Sequence, residues 1–221
     1  CTDRSLWAWR MTAVADEAFS LRDLKLMAGN STPTLINLDR LVAIEYEDQH
    51  RLVERAIDWC GLQIVENRHL KQDMGEDALT IEIVHMLKGM GYDAEHDTQI
   101  GGHCDVIVRG KRDFLWIGEA KIHKEYDWLL KGYEQLDSRY STGQPGQDTG
   151  EIIIFSHNER IDKVMAKWIE HLTAKRPDVT VSVSESDKLV HYSLHQHPGT
   201  GRPFKVRHKP INLYWRPMDK E

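Results

Sequence analysis

The run Glu151-Ile152-Ile153-Ile154-Phe155-Ser156 constrains this chain more than any other stretch. Four consecutive apolar side chains in an extended segment point alternately to both faces, so both faces must be covered. Such a strand lies inside a sheet with helices on either side. The neighbouring segments supply those layers. Residues 75–90 place apolar side chains at 79, 83, 87 and 90, with 84 and 86 alongside, which is one face of a helix ended by Gly91. Residues 93–100, 103–109 and 114–120 read as strands, the last two joined by the short turn Gly110-Lys111-Arg112-Asp113. Residues 125–140 and 159–174 read as helices, and 179–184 and 189–194 as alternating strands. The expected class is α/β, with a central mixed sheet flanked by helices.

Ahead of this core, residues 5–28 and 35–60 have helical spacing, and residues 62–74 read as a connector. The expected division is a helical extension over 1–74, for docking or dimerisation, and a second unit over 75–221. The last twenty residues are basic, aromatic and punctuated by prolines. Arg202, Lys205, Arg207, Lys209 and Arg216 among Phe204, Tyr214 and Trp215 fit a phosphate-backbone contact, and fit an ordinary packed edge about as well.

Composition narrows the function classes. With 221 residues, 40% of them hydrophobic, and seven Trp, the chain has enough apolar material for a core. No window approaches 18 uninterrupted apolar residues, which argues against a membrane span. Cys1, Cys60 and Cys104 are an odd number without CxxC spacing, so neither a disulfide framework nor a structural zinc site is expected. A reducing cytoplasmic setting fits best. His191, His195, His197 and His208 fall in a stretch that reads as strand with no cysteine nearby, so a metal role there is not expected. The formal charge of -6 hides an asymmetry: residues 75–160 carry net -7 and residues 161–221 net +4. That pattern suits a carboxylate-lined site beside a region able to hold a polyanion, and equally a solvated acidic surface.

Position separates the two. In a strand, residues two apart share a face, so Glu119 and Lys121 project together while Ala120 points away with its carbonyl available. If Gly110 opposes Phe114 in the hairpin, Asp105 lies opposite Glu119. Two adjacent carboxylates repel unless something positive lies between them. Mg²⁺ takes oxygen ligands, one or two of them carboxylates, and a lysine beside it can hold a water or stabilise charge developing on a phosphate. His103 and His123 flank the set and read as strand-end polar residues.

Asp105, a thirteen-residue gap, then Glu119-Ala120-Lys121 on the adjacent strand behind an amphipathic helix resembles the PD-(D/E)XK nuclease superfamily. The resemblance covers about residues 75–157, with Cys104 in place of the usual proline before the aspartate. It implies a restriction-endonuclease-like core and a metal-dependent nuclease leaving a 5′-phosphate and a 3′-hydroxyl. Asp105, Glu119 and the Ala120 carbonyl would hold Mg²⁺, with Mn²⁺ as substitute, and Lys121 would position water and phosphate. The preceding helix in such nucleases often adds an acid. Glu76 looks like the match and Glu82 is its competitor. Gln135, in Tyr133-Glu134-Gln135-Leu136, resembles a glutamine that orients the lysine or substrate, although Tyr140 follows it one residue later than usual.

The expected substrate is DNA rather than RNA, and the expected setting a homodimer or a larger restriction or anti-phage defence complex. The chain starts without Met and reads as the effector portion of something longer. Two alternatives stand beside this reading. One is a catalytically inactive nucleic-acid-binding or assembly module on the same fold; the other is a hydrolase of some different phosphate ester.

Overall fold

The computed structural model describes residues 18–219. Among them six α-helices and seven strands follow in the order α1 (Leu21–Ala28), α2 (Thr32–Val42), α3 (Tyr46–Glu66), α4 (Glu76–Gly89), β1 (Asp93–Gln99), β2 (His103–Arg109), β3 (Leu115–Ile122), α5 (Tyr126–Gln135), β4 (Thr149–Ser156), α6 (Ile161–Lys175), β5 (Thr180–Val183), β6 (His191–Gln196) and β7 (Pro203–Asn212). The strands form one mixed sheet in the order β1-β2-β3-β4-β7-β6-β5. Only the β3–β4 and β4–β7 pairs are parallel. The fold is α/β.

The apolar run lies where its two-faced hydrophobicity requires, at the centre of the sheet. Ile153 and Phe155 enter one core with α3 and α4, whereas Ile152 and Ile154 enter the other with α5 and α6. All four are fully buried, each contributing roughly 1.5–3 kcal/mol in the transfer sense. The hairpin register also follows the expectation. Gly110 N–H donates to Phe114 O at 2.9 Å, and the ladder pairs Arg109 with Leu115 through to Val106 with Gly118. Arg112 and Asp113 take φ of +54° and +61° between Lys111 and Phe114. Phe114 N–H closes the turn on Lys111 O at 3.2 Å, which is the type I′ geometry that suits a twisted two-stranded ribbon.

Four segments differ from the sequence-based expectation. Residues 35–60 are not one helix. The chain turns extended at Ala43, with ψ 125°, and α3 then runs on to Glu66. Lys111 stabilises that break, donating from Nζ to Leu41 O at 2.7 Å and Ala43 O at 3.1 Å, where helix-end carbonyls lack partners. Of the expected 5–28 helix, α1 is the described part, opened by a reciprocal capping box between Ser20 and Asp23, and residues 1–17 lie outside the description.

The helices of the expected extension also share a core with the sheet. Ile36 of α2 and Val53, Ile57, Cys60 and Ile64 of α3 pack in one cluster with Leu79, Val106, Trp116 and Ile153. In the third difference, helical residues 125–140 comprise α5 and then a π-helical turn over Leu136–Tyr140.

The largest difference is the basic tail. It is not an edge, because β7 lies between β4 and β6, and Arg207 is buried and Lys209 half-buried while Arg202, Lys205 and Arg216 stay exposed. Arg207 is only 4% exposed and pairs with buried Glu151 at 3.2 Å and with Asp58 of α3. Lys209 pairs with Asp58 at 2.7 Å. Pro210 is accommodated because β6 pairs only as far as His208, leaving the proline opposite β4 alone. Arg207 reaches across the sheet face to acids separated from it in sequence, so no local pattern announces its burial.

Candidate active site

The hairpin ladder stops one step before Asp105 and Glu119, and side chains take over from backbone there. Asp105 Oδ2 accepts the Ala120 N–H at 2.9 Å, and the Asp105 carbonyl is met by the His96 ring at 2.8 Å. Just beyond, the Ile122 N–H donates to Glu76 Oε2 at 2.7 Å. Glu76 is the first residue of α4, where a negative charge also suits the helix dipole. Two acids from different elements thus bind consecutive outward-facing N–H groups at the end of β3.

Lys121 ties the set together. Its Nζ lies 2.6 Å from Glu119 Oε1, 3.3 Å from Glu76 Oε1 and 3.6 Å from Asp105 Oδ2, and it donates to the Ala120 carbonyl at 3.0 Å. Glu119 is 1% exposed and Lys121 5%. Burial first, and then the nearby Asp105 charge, push the Glu119 carboxyl up to about 7 against the pull of Lys121. Burial pulls the Lys121 ammonium down, yet Glu119, Asp105 and Glu76 outweigh it and hold the group above the usual lysine range. Three carboxylates share one cation, and the imbalance falls on Glu119. Its Oε2 is buried without a hydrogen-bond partner.

Among the described residues, no three Asp, Glu, His or Cys side chains form a ready-made cation cage. The Lys121 ammonium lies among the three carboxylates instead. The donor set nonetheless suits a hard divalent ion, since it is all oxygen and carries surplus negative charge.

Of the competing acids in α4, the structure brings Glu76 to the site and ties Glu82 to Lys71 instead. Gln135 does not reach Lys121 by a hydrogen bond; its Nε2 donates to Tyr140 Oη at 3.3 Å. The π-helical turn explains that pairing. A π turn brings residues five apart onto one face, which absorbs the extra residue between Gln135 and Tyr140. Burial, then Glu119, push the Tyr140 phenol up to about 12. His103 pairs with Asp97 at 2.9 Å, and His123 with Asn158 at 3.1 Å.

Sequence reasoning missed two residues of α5. Trp128 lies with its ring centroid 5.5 Å from Lys121 Nζ. Gly132, one turn on, leaves room for the lysine: a Cβ there would lie 2.9 Å from Lys121 Cγ and 3.4 Å from Glu119 Cγ. A glycine inside a helix, four residues after a tryptophan, was the available signal, since it costs about 1 kcal/mol against alanine unless packing requires it.

The histidines near the end of the chain form a separate buried network. Trp168 Nε1 donates to His208 Nδ1 at 3.1 Å, and His208 Nε2 meets Ser193 Oγ at 2.8 Å. Tyr133 Oη meets His195 Nδ1 at 2.9 Å, and His195 Nε2 meets Asp137 at 2.7 Å. Among the described residues no helix is long and apolar enough to cross a membrane. Compared with protein-family models, curated proteins and solved structures, the chain finds no match in any of the three.

Proposed function

We propose that this chain is a metal-dependent nuclease hydrolysing DNA phosphodiester bonds on a restriction-endonuclease-like core. One observation carries the reading: Asp105, Glu119 and Lys121 from adjacent strands, with Glu76 from the preceding helix, converge at one end of the sheet. The order helix, three strands, helix, strand around them, with β3 and β4 parallel, agrees with that core.

Asp105, Glu119, Glu76 and the Ala120 carbonyl would hold Mg²⁺ or Mn²⁺, and the unpartnered Glu119 Oε2 supports the fit. When bound, such an ion polarises a phosphoryl oxygen and lowers the pKa of water. The chain's own residues do the rest. Lys121 places positive charge beside the phosphate and orients the attacking water, a role that its raised pKa suits because it stays protonated. Trp128 and Gly132 fix the lysine's path, and Gln135 with Tyr140 borders the site.

The test is cleavage of supercoiled plasmid, linear duplex and single-stranded DNA with Mg²⁺ or Mn²⁺. Cleavage that stops in EDTA supports the reading, and indifference to all three DNAs under every metal condition counts against it. The position of the Lys121 ammonium among the carboxylates favours one second reading, an inactive nucleic-acid-binding or assembly module. Calorimetry separates the two: Mg²⁺ uptake that Asp105→Ala abolishes belongs to the nuclease, and no uptake belongs to the module.

A further inference from the structure

Two cations of the basic tail, Arg207 and Lys209, are taken up by Asp58 of α3. Cationic surface next to the site lies elsewhere. A cavity of about 300 Å³ opens where β3 and β4 end and α6 begins, lined by His123, Asn158, Arg160, Lys163 and Lys167, with Glu159 as its acid. It adjoins the candidate site directly. His123 follows Ile122, whose N–H binds Glu76, and is about 7 Å along the chain from Lys121 at roughly 3.3 Å per strand residue.

The charges lining this cavity are not equivalent. Arg160 is neutralised by a forked pair with Asp162 at 2.6 Å. Lys163 and Lys167 are exposed and have no ion-pair partner among the described residues. Four residues apart on α6, they share one face and stand about 6 Å apart along the axis. His123 adds a second feature. Asn158 Oδ1 accepts from both Ser156 Oγ and His123 Nδ1 at 3.1 Å, which fixes the ring and leaves Nε2 buried without a partner. The first turn of α6, a helix of fifteen residues, opens at the same place.

We propose that this cavity is a phosphate cradle for the nucleic-acid backbone beside the cleavage site, with Lys163 and Lys167 holding neighbouring phosphates of one strand and His123 bordering them. The inference rests on the nuclease reading for its substrate, and it names the surface that would hold that substrate despite the acidic core. Both lysines are solvent-exposed, so their replacement leaves the packing of α6, built on Val164, Met165, Trp168 and Leu172, untouched.

The test is fluorescence anisotropy of a labelled mixed-sequence duplex with the full chain in EDTA, titrated over a range of salt. Lys163→Ala/Lys167→Ala is compared with wild type and with Lys175→Ala at the far end of α6. The cradle predicts that the double variant binds about tenfold more weakly at low salt and that its slope of log K against log salt is shallower by about 2, while Lys175→Ala is unchanged. An unchanged slope in the double variant, an equal loss with Lys175→Ala, or no duplex binding by wild type overturns it. Cleavage is measured on the same proteins at saturating DNA. Cleavage by wild type with no lysine effect on binding removes the cradle and leaves the nuclease; a lysine-dependent slope without cleavage does the reverse.

Discussion

Gly132 of α5 lies against the aliphatic stem of Lys121, so that a Cβ at position 132 would come within 2.9 Å of Lys121 Cγ and 3.1 Å of Cε. A methyl group there must displace the lysine or tilt the helix. Gly132→Ala gains roughly 1 kcal/mol of helix propensity and loses about 1–3 kcal/mol to overpacking, so the net change runs from none to a loss of about 2 kcal/mol. Under the nuclease proposal, cleavage is expected to fall about 10–100-fold, because small displacements of a positioned group are costly. Single-turnover cleavage rates beside denaturant midpoints check it; equal cleavage by variant and wild type would show that the lysine's path is not constrained here.

The surplus charge at Glu119 fixes a pH dependence. Its folded-state pKa is raised from 4.5 to about 7, so between those values the folded chain binds more protons than the unfolded one. Stability contributed by the protonated form is full below 4.5 and is lost as pH rises through 7. Glu119→Gln mimics the protonated form and leaves Lys121 with Glu76 and Asp105. Its melting temperature at pH 8, without metal, is expected to exceed wild type by roughly 5 °C, with the two converging toward pH 4.5. A variant less stable than wild type at pH 8 would show that the Lys121 pairing outweighs desolvation.

His208 sets the opposite limb. Trp168 N–H only donates, so His208 Nδ1 must accept and the ring is neutral. Burial first, and then His191, push it down to about 3 from 6.5. A depressed pKa contributes stability that is present above 6.5 and lost as pH falls toward 3, at up to about 1.4 kcal/mol per pH unit. His208→Gln is expected to flatten that acid limb in urea unfolding measured between pH 7 and 4. An unchanged slope would place the acid sensitivity at other groups.

The interior placement of β7 predicts an asymmetry between single and double variants. Arg207→Met strands Glu151, whose carboxyl burial already pushes up to about 8 despite Arg207, and is expected to cost about 3–5 kcal/mol. Adding Glu151→Leu removes the stranded charge and should recover most of that loss. Guanidinium denaturation of both variants checks this; a cost below about 1 kcal/mol for Arg207→Met alone would mean that the pair is solvated.

What could be read from the chain divides along physical lines. Local periodicity placed α4, β1, β2 and β4 within a residue or two, because each carries its own pattern of burial. The four-residue turn set the hairpin register, and with it Asp105 level with Glu119. Glu76 was distinguishable from Glu82 by its side of α4, although only the structure shows Lys71 holding the latter. Long-range charge pairing was invisible. Nothing local in Lys205-Val206-Arg207 marks a strand whose arginine is neutralised by Asp58 and Glu151. The π turn was equally hidden, although the long Gln135–Tyr140 spacing was its trace.

The most direct measurement is Mg²⁺-dependent cleavage of supercoiled plasmid by wild type and Lys121→Ala at equal concentration and matched folded fraction. The nuclease proposal predicts cleavage by wild type that EDTA abolishes, with a loss of at least about a hundredfold in the variant. Cleavage that survives Lys121→Ala undiminished would contradict the site built from Asp105, Glu119 and Lys121.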